Sequence, residues 1–263
     1  MKSFCVASLV CNNRSTFFKV LSSFSEGTDV TLFPEKIDWV VFAQGCTEDF
    51  VNKIKDFDID NLQVKVVSND ENLGLSKGMN RLHNLVKGYE YTLFLEDDWV
   101  LFPTEYNPSW LKSCYDFLNE HEDVSTLALR RYKDEDEKFQ YGWTRSIPYT
   151  NFTRPNNFNY ESKMRGSTIL TKGGVTFQHI PDFLFTMNPH IRKNSDYVKC
   201  GALPLIDIYD SVINPQITNA WKTSSHAGQS YWGVCEALSM EKTIDLKTFM
   251  VNDGLFVHYE HWF

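Results

Sequence analysis

The 263-residue chain has no apolar run approaching membrane-spanning length, which excludes a long hydrophobic span. It has no basic excess either. Its 26 Lys and Arg stand against 34 Asp and Glu, for a formal charge of −8, and its pI lies near 5.4. Nonspecific nucleic-acid binding needs the opposite sign, so nucleic acid is not an expected partner. The six cysteines (Cys5, Cys11, Cys46, Cys114, Cys200 and Cys235) are scattered, with neither the paired spacing of a zinc site nor the density of a disulfide framework. Reduced thiols in a large cytoplasmic domain are the expectation. Met1-Lys2-Ser3 passes straight into an apolar strand with no cleavage region, which points the same way. Without such a leader, the sequons at Asn13 and Asn151 read as chance matches.

What the chain does have is core. Forty-two per cent of it is hydrophobic and 15% aromatic, enough for one large α/β domain over residues 1–263. In its first hundred residues, strand and helix alternate. The run from Phe4 to Val10 has buried-strand length, and Phe17, Phe18, Val20, Leu21 and Phe24 follow at helical spacing. Residues 38–43 form a second apolar strand. Thr47 is a plausible N-cap, with Glu48 and Asp49 in the first turn. Residues 62–67 give a third strand and 75–86 a helix, with Ser76 able to cap it. Strands separated by helices of this length predict a parallel sheet with right-handed crossovers.

The fourth strand carries the chemistry. Tyr91-Thr92-Leu93-Phe94-Leu95 runs into Glu96-Asp97-Asp98, and apolar chain resumes at Trp99. Three adjacent carboxylates between buried segments repel one another and lose hydration. A divalent cation would remove that conflict. In an extended strand Glu96 and Asp98 face one way and Asp97 the other. Two hard oxygen donors at the carboxyl end of a strand suit Mg²⁺ or Mn²⁺, and nucleotides bind at that edge of α/β sheets. The plainer reading is a solvated acidic turn.

The order of these pieces resembles the GT-A fold of nucleotide-sugar glycosyltransferases, family-2-like. The first strand with Asn12-Asn13-Arg14 is similar to their opening. Asn69 to Arg81, with Asn72, Gly74 and Asn80, looks like their loop-and-helix element. Leu93 to Asp98 stands where their DxD strand ends, with Glu in place of the first Asp. The match covers about residues 3–102 and implies a Rossmann-like, mixed and mainly parallel sheet flanked by helices. Residues 1–102 would then be the nucleotide-sugar-binding half and 103–263 the acceptor half. It also implies a donor site around Leu9, Asn12, Arg14 and Gln44, continued by Asn72, Gly74, Lys77, Glu96 and Asp97. The metal, Mn²⁺ or Mg²⁺, would sit on Asp98 with Glu96 and His258, because Gly254 to His258 resembles the family's closing strand. One departure stands out: the second strand ends in Ala43-Gln44-Gly45-Cys46, without the acid that usually reads base and ribose. A UDP-sugar is therefore an expectation of the resemblance alone.

The second half is less regular. Val124 to Leu129 reads as a fifth strand, and residues 134–137 as a solvated acidic loop. Between Tyr132 and Tyr160, dense aromatics interleaved with Arg145, Arg154 and several Asn could form an acceptor wall that stacks on sugar rings. They could equally be an aromatic excursion packed on the core. Ile169–Phe177 reads as a hairpin about Lys172-Gly173-Gly174. Asn188-Pro189-His190 resembles a run in which an Asn-Pro turn starts a helix beneath the acceptor site. Glu236, in an aromatic helix-like segment, has the setting of a general base. Asp210 is the alternative, and an exposed structural Glu the plainer reading.

Together these parts imply metal-dependent transfer of a sugar to a hydroxyl of a glycan or other acceptor, with inversion. Peripheral association with a glycan-assembly system would fit. The rivals are a retaining GT-A enzyme, a sugar-phosphate nucleotidylyltransferase and an inactive carbohydrate-binding protein. Val10-Cys11-Asn12-Asn13 stands where the second rival would carry a Gly-rich phosphate loop.

Overall fold

The computed structural model of the chain describes residues 4–102, 107–130, 168–180, 189–196, 247–251 and 254–259. Its centre is a sheet built from the continuous apolar runs. The strands are β1 (Phe4–Cys11), β2 (Ile37–Gln44), β3 (Leu62–Asn69), β4 (Tyr91–Phe94), β6 (Val124–Ala128), β7 (Ile169–Lys172), β8 (Val175–Ile180), β9 (His190–Lys193) and β10 (Lys247–Val251). Their order across the nine-stranded sheet is β3-β2-β1-β4-β9-β6-β10-β8-β7. β3, β2, β1 and β4 are mutually parallel. β9 is antiparallel to both its neighbours, β6 and β10 run parallel, and β8 is antiparallel to β10 and β7. Only β9 and β8 therefore run against the rest. This is the expected mixed, mainly parallel α/β sheet. A second ribbon pairs β5 (Trp99–Leu101) with β11 (Phe256–His258), antiparallel.

Both faces of the sheet are covered, which is why its central strands read as unbroken apolar runs. On one face lie α1 (Thr16–Gly27) and α4 (Trp110–Glu120). Phe17, Val20, Leu21 and Phe24 of α1 fall on one stripe at helical spacing. They pack with Trp110, Leu111 and Phe117 of α4 against Val6, Val10, Trp39 and Leu93. Each such side chain, fully withdrawn from water, contributes roughly 1.5–3 kcal/mol. The other face is covered by α3 (Leu75–Val86), whose Met79, Leu82 and Val86 meet Ala7, Val40, Phe42 and Phe94. The short α2 (Glu48–Lys55) is capped as its sequence predicts, Thr47 Oγ1 accepting from Phe50 N. Cys5, Cys11, Cys46 and Cys114 are free thiols. Among the described residues no helix is long and apolar enough to cross a membrane.

Three local expectations are corrected. The stretch 91–101 is not one strand: β4 stops at Phe94, residues 97–98 turn, and β5 begins at Trp99 in the other ribbon. Ser76 does not stand at the cap position of α3. The cap position is Gly74, and Ser76 is already helical. His190 opens strand β9 and not a helix, because it pairs with Phe94 on one side and Ala128 on the other. Buried and stacked on the Phe94 ring at 5.2 Å, it is part of the sheet. The hairpin at Gly173-Gly174 forms as expected, both glycines at positive φ.

Candidate active site

The chain winds outward from β1 through β2 to β3, then returns to place β4 on the other side of β1. That reversal opens a crevice at the carboxyl ends of β1 and β4. The residues leaving β1 are Asn12, Asn13 and Arg14; those leaving β4 are Leu95 to Asp98. Two bonds pin the strands together there. Leu95 N donates to Ala7 O at 2.9 Å, and Ser8 Oγ donates to Leu95 O at 2.6 Å while accepting from Trp39 Nε1 at 3.0 Å. Past Leu95 the chain leaves extended geometry, so alternation no longer governs the acids.

The consequence is a regrouping. Asp97 and Asp98 do not point apart. Arg14 Nη1 lies 3.2 Å from Asp97 Oδ1 and 3.0 Å from Asp98 Oδ2. Glu96, expected to share a side with Asp98, is half-buried. Thr16 Oγ1 donates to Asp97 O at 2.8 Å, tying the acid turn to the start of α1. Burial first, and then the charge of Asp98, push the Asp97 carboxyl up to about 7, with Arg14 working against both. Asp97 Oδ2 is buried without a hydrogen-bond partner.

Around the acids the backbone is unusually shaped. Asn12 and Asn13 both have positive φ, 52° and 56°. Asn13 Oδ1 accepts from Thr47 N at 2.8 Å, tying the loop after β1 to that after β2. At Gly45, with φ +60°, a Cβ would come within 2.7 Å of Asn12 Oδ1. Gln44 is buried, and its Oε1 accepts from Leu73 N at 3.1 Å. It therefore braces the 72–74 loop. Asn72 Oδ1 accepts from Gly74 N at 2.9 Å, closing an Asx turn into α3. Leu9 is half-buried beneath Gly78, whose bare Cα lets α3 approach both Leu9 and the Gln44 amide. Lys77 is exposed in the first turn of α3.

The other candidates divide. β11 sets His258 opposite Trp99, and Tyr259 N donates to Asp98 O at 2.7 Å, so the backbone at 258 lies beside the acid turn. Glu236, Asp210 and the aromatic stretch 132–160 lie outside the described residues. Sequence reading overlooked Ser8, Thr16 and Asn13 as supports. A lone hydroxyl inside the apolar run of β1 was the available signal for Ser8; Thr16 and Asn13 gave none beyond their polarity. Arg130, over the Trp99 ring at 5.2 Å, was also missed.

The chemistry suits a hard cation, because the unmet Asp97 oxygen stands beside the Asp98 carboxylate and both are hard oxygen donors. Among the described residues no group of three or more His, Cys, Asp or Glu closes around an ion site. Sites for Mg²⁺ and Mn²⁺ commonly use one or two carboxylates, phosphate and water completing the shell.

Residues 10–202 match the model of the family described as glycosyl transferase family 2. No curated protein matches the chain. Among solved structures it is similar to S. aureus TarS 1-349 in complex with UDP, with a TM-score of 0.55 at 17% identity, covering 97% of this chain and 60% of that one. TarS 1-349 in complex with UDP-GlcNAc gives 0.54 at 16% identity, with 100% and 62% covered. The unliganded TarS 1-349 gives 0.51 at 16% identity, with 97% and 60% covered. The likeness is one of fold, and this chain spans about 60% of those chains.

Proposed function

Because the chain belongs to glycosyl transferase family 2, we propose that it transfers a sugar from a nucleotide-sugar donor to a hydroxyl of a glycan or other acceptor. The observation that carries this reading is the Asp97–Asp98 turn, two adjacent carboxylates buried at the switch point between β1 and β4. The diphosphate of the donor would lie between that turn and the amino end of α3, where unpaired helix N–H groups and Lys77 favour negative charge. Asn12, Arg14, Asn72 and Gly74 line the same edge. Gln44 and Leu9 set the floor beneath the 72–74 loop. A UDP-sugar is the favoured donor, in keeping with the UDP and UDP-GlcNAc of the TarS complexes.

Asp98, with Glu96 and His258 as further ligands and Asp97 beside them, would hold Mn²⁺ or Mg²⁺, which supplies Lewis-acid stabilisation of the departing nucleoside diphosphate. Asp97 and Arg14 orient the acid turn and balance its charge. Glu236, with Asp210 as the alternative, takes the proton from the attacking acceptor hydroxyl. Attack opposite the leaving group gives inversion. The aromatic stretch 132–160 forms the acceptor wall, and a peripheral place in a cytoplasmic glycan-assembly system fits such a chain.

The test is release of free nucleoside diphosphate from a panel of sugar nucleotides, with Mn²⁺ and with EDTA. Metal-dependent hydrolysis of one donor is expected, falling about 100- to 1000-fold in Asp98→Ala. Silence across the panel, with no donor-induced rise in melting temperature, would leave a binding protein in place of an enzyme.

A further inference from the structure

The acid turn already has a cation against it, and that cation belongs to the chain. A single nitrogen, Arg14 Nη1, is shared between Asp97 Oδ1 at 3.2 Å and Asp98 Oδ2 at 3.0 Å. A guanidinium nitrogen within reach of two carboxylates serves as a counter-ion to both. The root of Arg14 is fixed by the loop after β1. Arg14 N donates to Cys11 O at 3.2 Å. The two residues before it hold left-handed conformations, and Asn13 is tied to Thr47. The Arg14 side chain is 34% exposed, against 7% for Asp97 and 11% for Asp98. The carboxylates are thus held in place and the guanidinium reaches them from the solvent side. Thr16 keeps the acid backbone fixed whether or not Arg14 is there.

We propose that Arg14 is an exchangeable internal counter-cation, displaced from Asp98 by the incoming divalent ion and handed to the donor diphosphate. This rests on the reading of the acid turn as the cation and donor site. Two positive charges cannot share Asp98 at contact distance without repulsion, whereas a diphosphate offers the displaced guanidinium new oxygens. Cation alone must therefore compete with Arg14, and cation with diphosphate need not. The site admits the pair cooperatively and resists either ligand arriving alone. Arg14 is in this account a positioning residue whose own charge sets the coupling.

Binding of Mn²⁺ by the full chain, titrated calorimetrically with and without uridine diphosphate, tests it. Wild type should bind Mn²⁺ weakly alone and about tenfold more tightly with the diphosphate, an ordinary size for a coupling. Arg14→Gln should bind Mn²⁺ alone about tenfold more tightly than wild type and lose most of the enhancement. Arg14→Gln binding Mn²⁺ no more tightly, with the enhancement intact, would overturn the exchange while leaving the metal site standing. Absence of Mn²⁺ binding by wild type under both conditions would sink the metal site and the exchange together. Wild-type melting supplies a check independent of any variant: Mn²⁺ and uridine diphosphate together should raise the melting temperature by more than the sum of each alone, and strict additivity would overturn the proposal.

Discussion

Asp38 lies at the amino edge of the sheet and Asp97 at its carboxyl edge, and both are buried. Asp38 Oδ2 accepts from Lys65 Nζ at 2.9 Å and from the Tyr89 hydroxyl. The side chains near it form a connected network. Cys5 Sγ meets Thr92 Oγ1 at 3.3 Å, Thr92 donates to Asn194 Oδ1 at 3.0 Å, and Asn194 Nδ2 donates to the carbonyls of Val86 and Tyr89. At the other edge Asp97 shares one guanidinium nitrogen with Asp98 and keeps a buried oxygen without a partner. Left-handed Asn12 and Asn13 sit beside it. Each acid keeps one buried oxygen without a hydrogen-bond partner, Asp38 Oδ1 and Asp97 Oδ2. They differ in charge, because Asp38 faces an ammonium and a hydroxyl while Asp97 faces a second carboxylate across the same guanidinium nitrogen. Crowded negative charge is what a cationic ligand can relieve, so a buried acid with an orphaned oxygen does not by itself mark a functional site; one set beside a second carboxylate does.

The comparison breaks most readily at Asp38. Asp38→Asn should lower stability by about 2–3 kcal/mol, since it strips Lys65 and Tyr89 of their charged acceptor. Urea unfolding would show the loss, and uridine diphosphate affinity should stay unchanged. A variant of normal stability with weakened binding would erase the distinction between the edges. At the carboxyl edge the matching test is backbone shape. Gly45→Ala should cost about 1–2 kcal/mol, from the positive φ and the contact with Asn12. Unlike Asp38→Asn it should also weaken uridine diphosphate binding, because Asn12 must move.

These edges differed in how far the sequence disclosed them. The strands β1 to β4 were legible because a sheet covered on both faces needs continuous apolar runs, and such runs tolerate few other readings. The acid turn was legible as composition but not as geometry. Strand alternation put Asp97 opposite Asp98, yet the chain abandons extended form at Leu95, and only that turn brings both to Arg14. Asn188-Pro189 suggested a helix, while pairing between β4 and β6 made His190 a strand residue; no local pattern records a long-range partner. Gln44 shows the same limit. Its place at the end of β2 pointed to the donor, but its amide is held by the 72–74 loop, thirty residues on. His258 was named only through a resemblance of the closing strand; the β5–β11 register brings its backbone beside Asp98.

The finest test of the comparison is Asp97→Asn, measured in EDTA at pH 5 and pH 8. Burial and Asp98 raise the folded Asp97 carboxyl to about 7, whereas an unfolded aspartate titrates near 3.9. Between those values the folded chain binds the extra proton, so stability falls as pH rises through about 4 to 7 and stays low above it. Asn carries no charge to bury at any pH, and the neutral acceptor it offers Arg14 is the same at pH 5 and pH 8. The advantage of Asp97→Asn over wild type should therefore grow by about 2–3 kcal/mol from pH 5 to pH 8, while turnover falls. Asp38→Asn should be destabilised at both values. If Asp97→Asn were also destabilised at pH 8, Asp97 would be a structural acid like Asp38, and the adjacent carboxylates at the carboxyl edge would no longer point to a ligand.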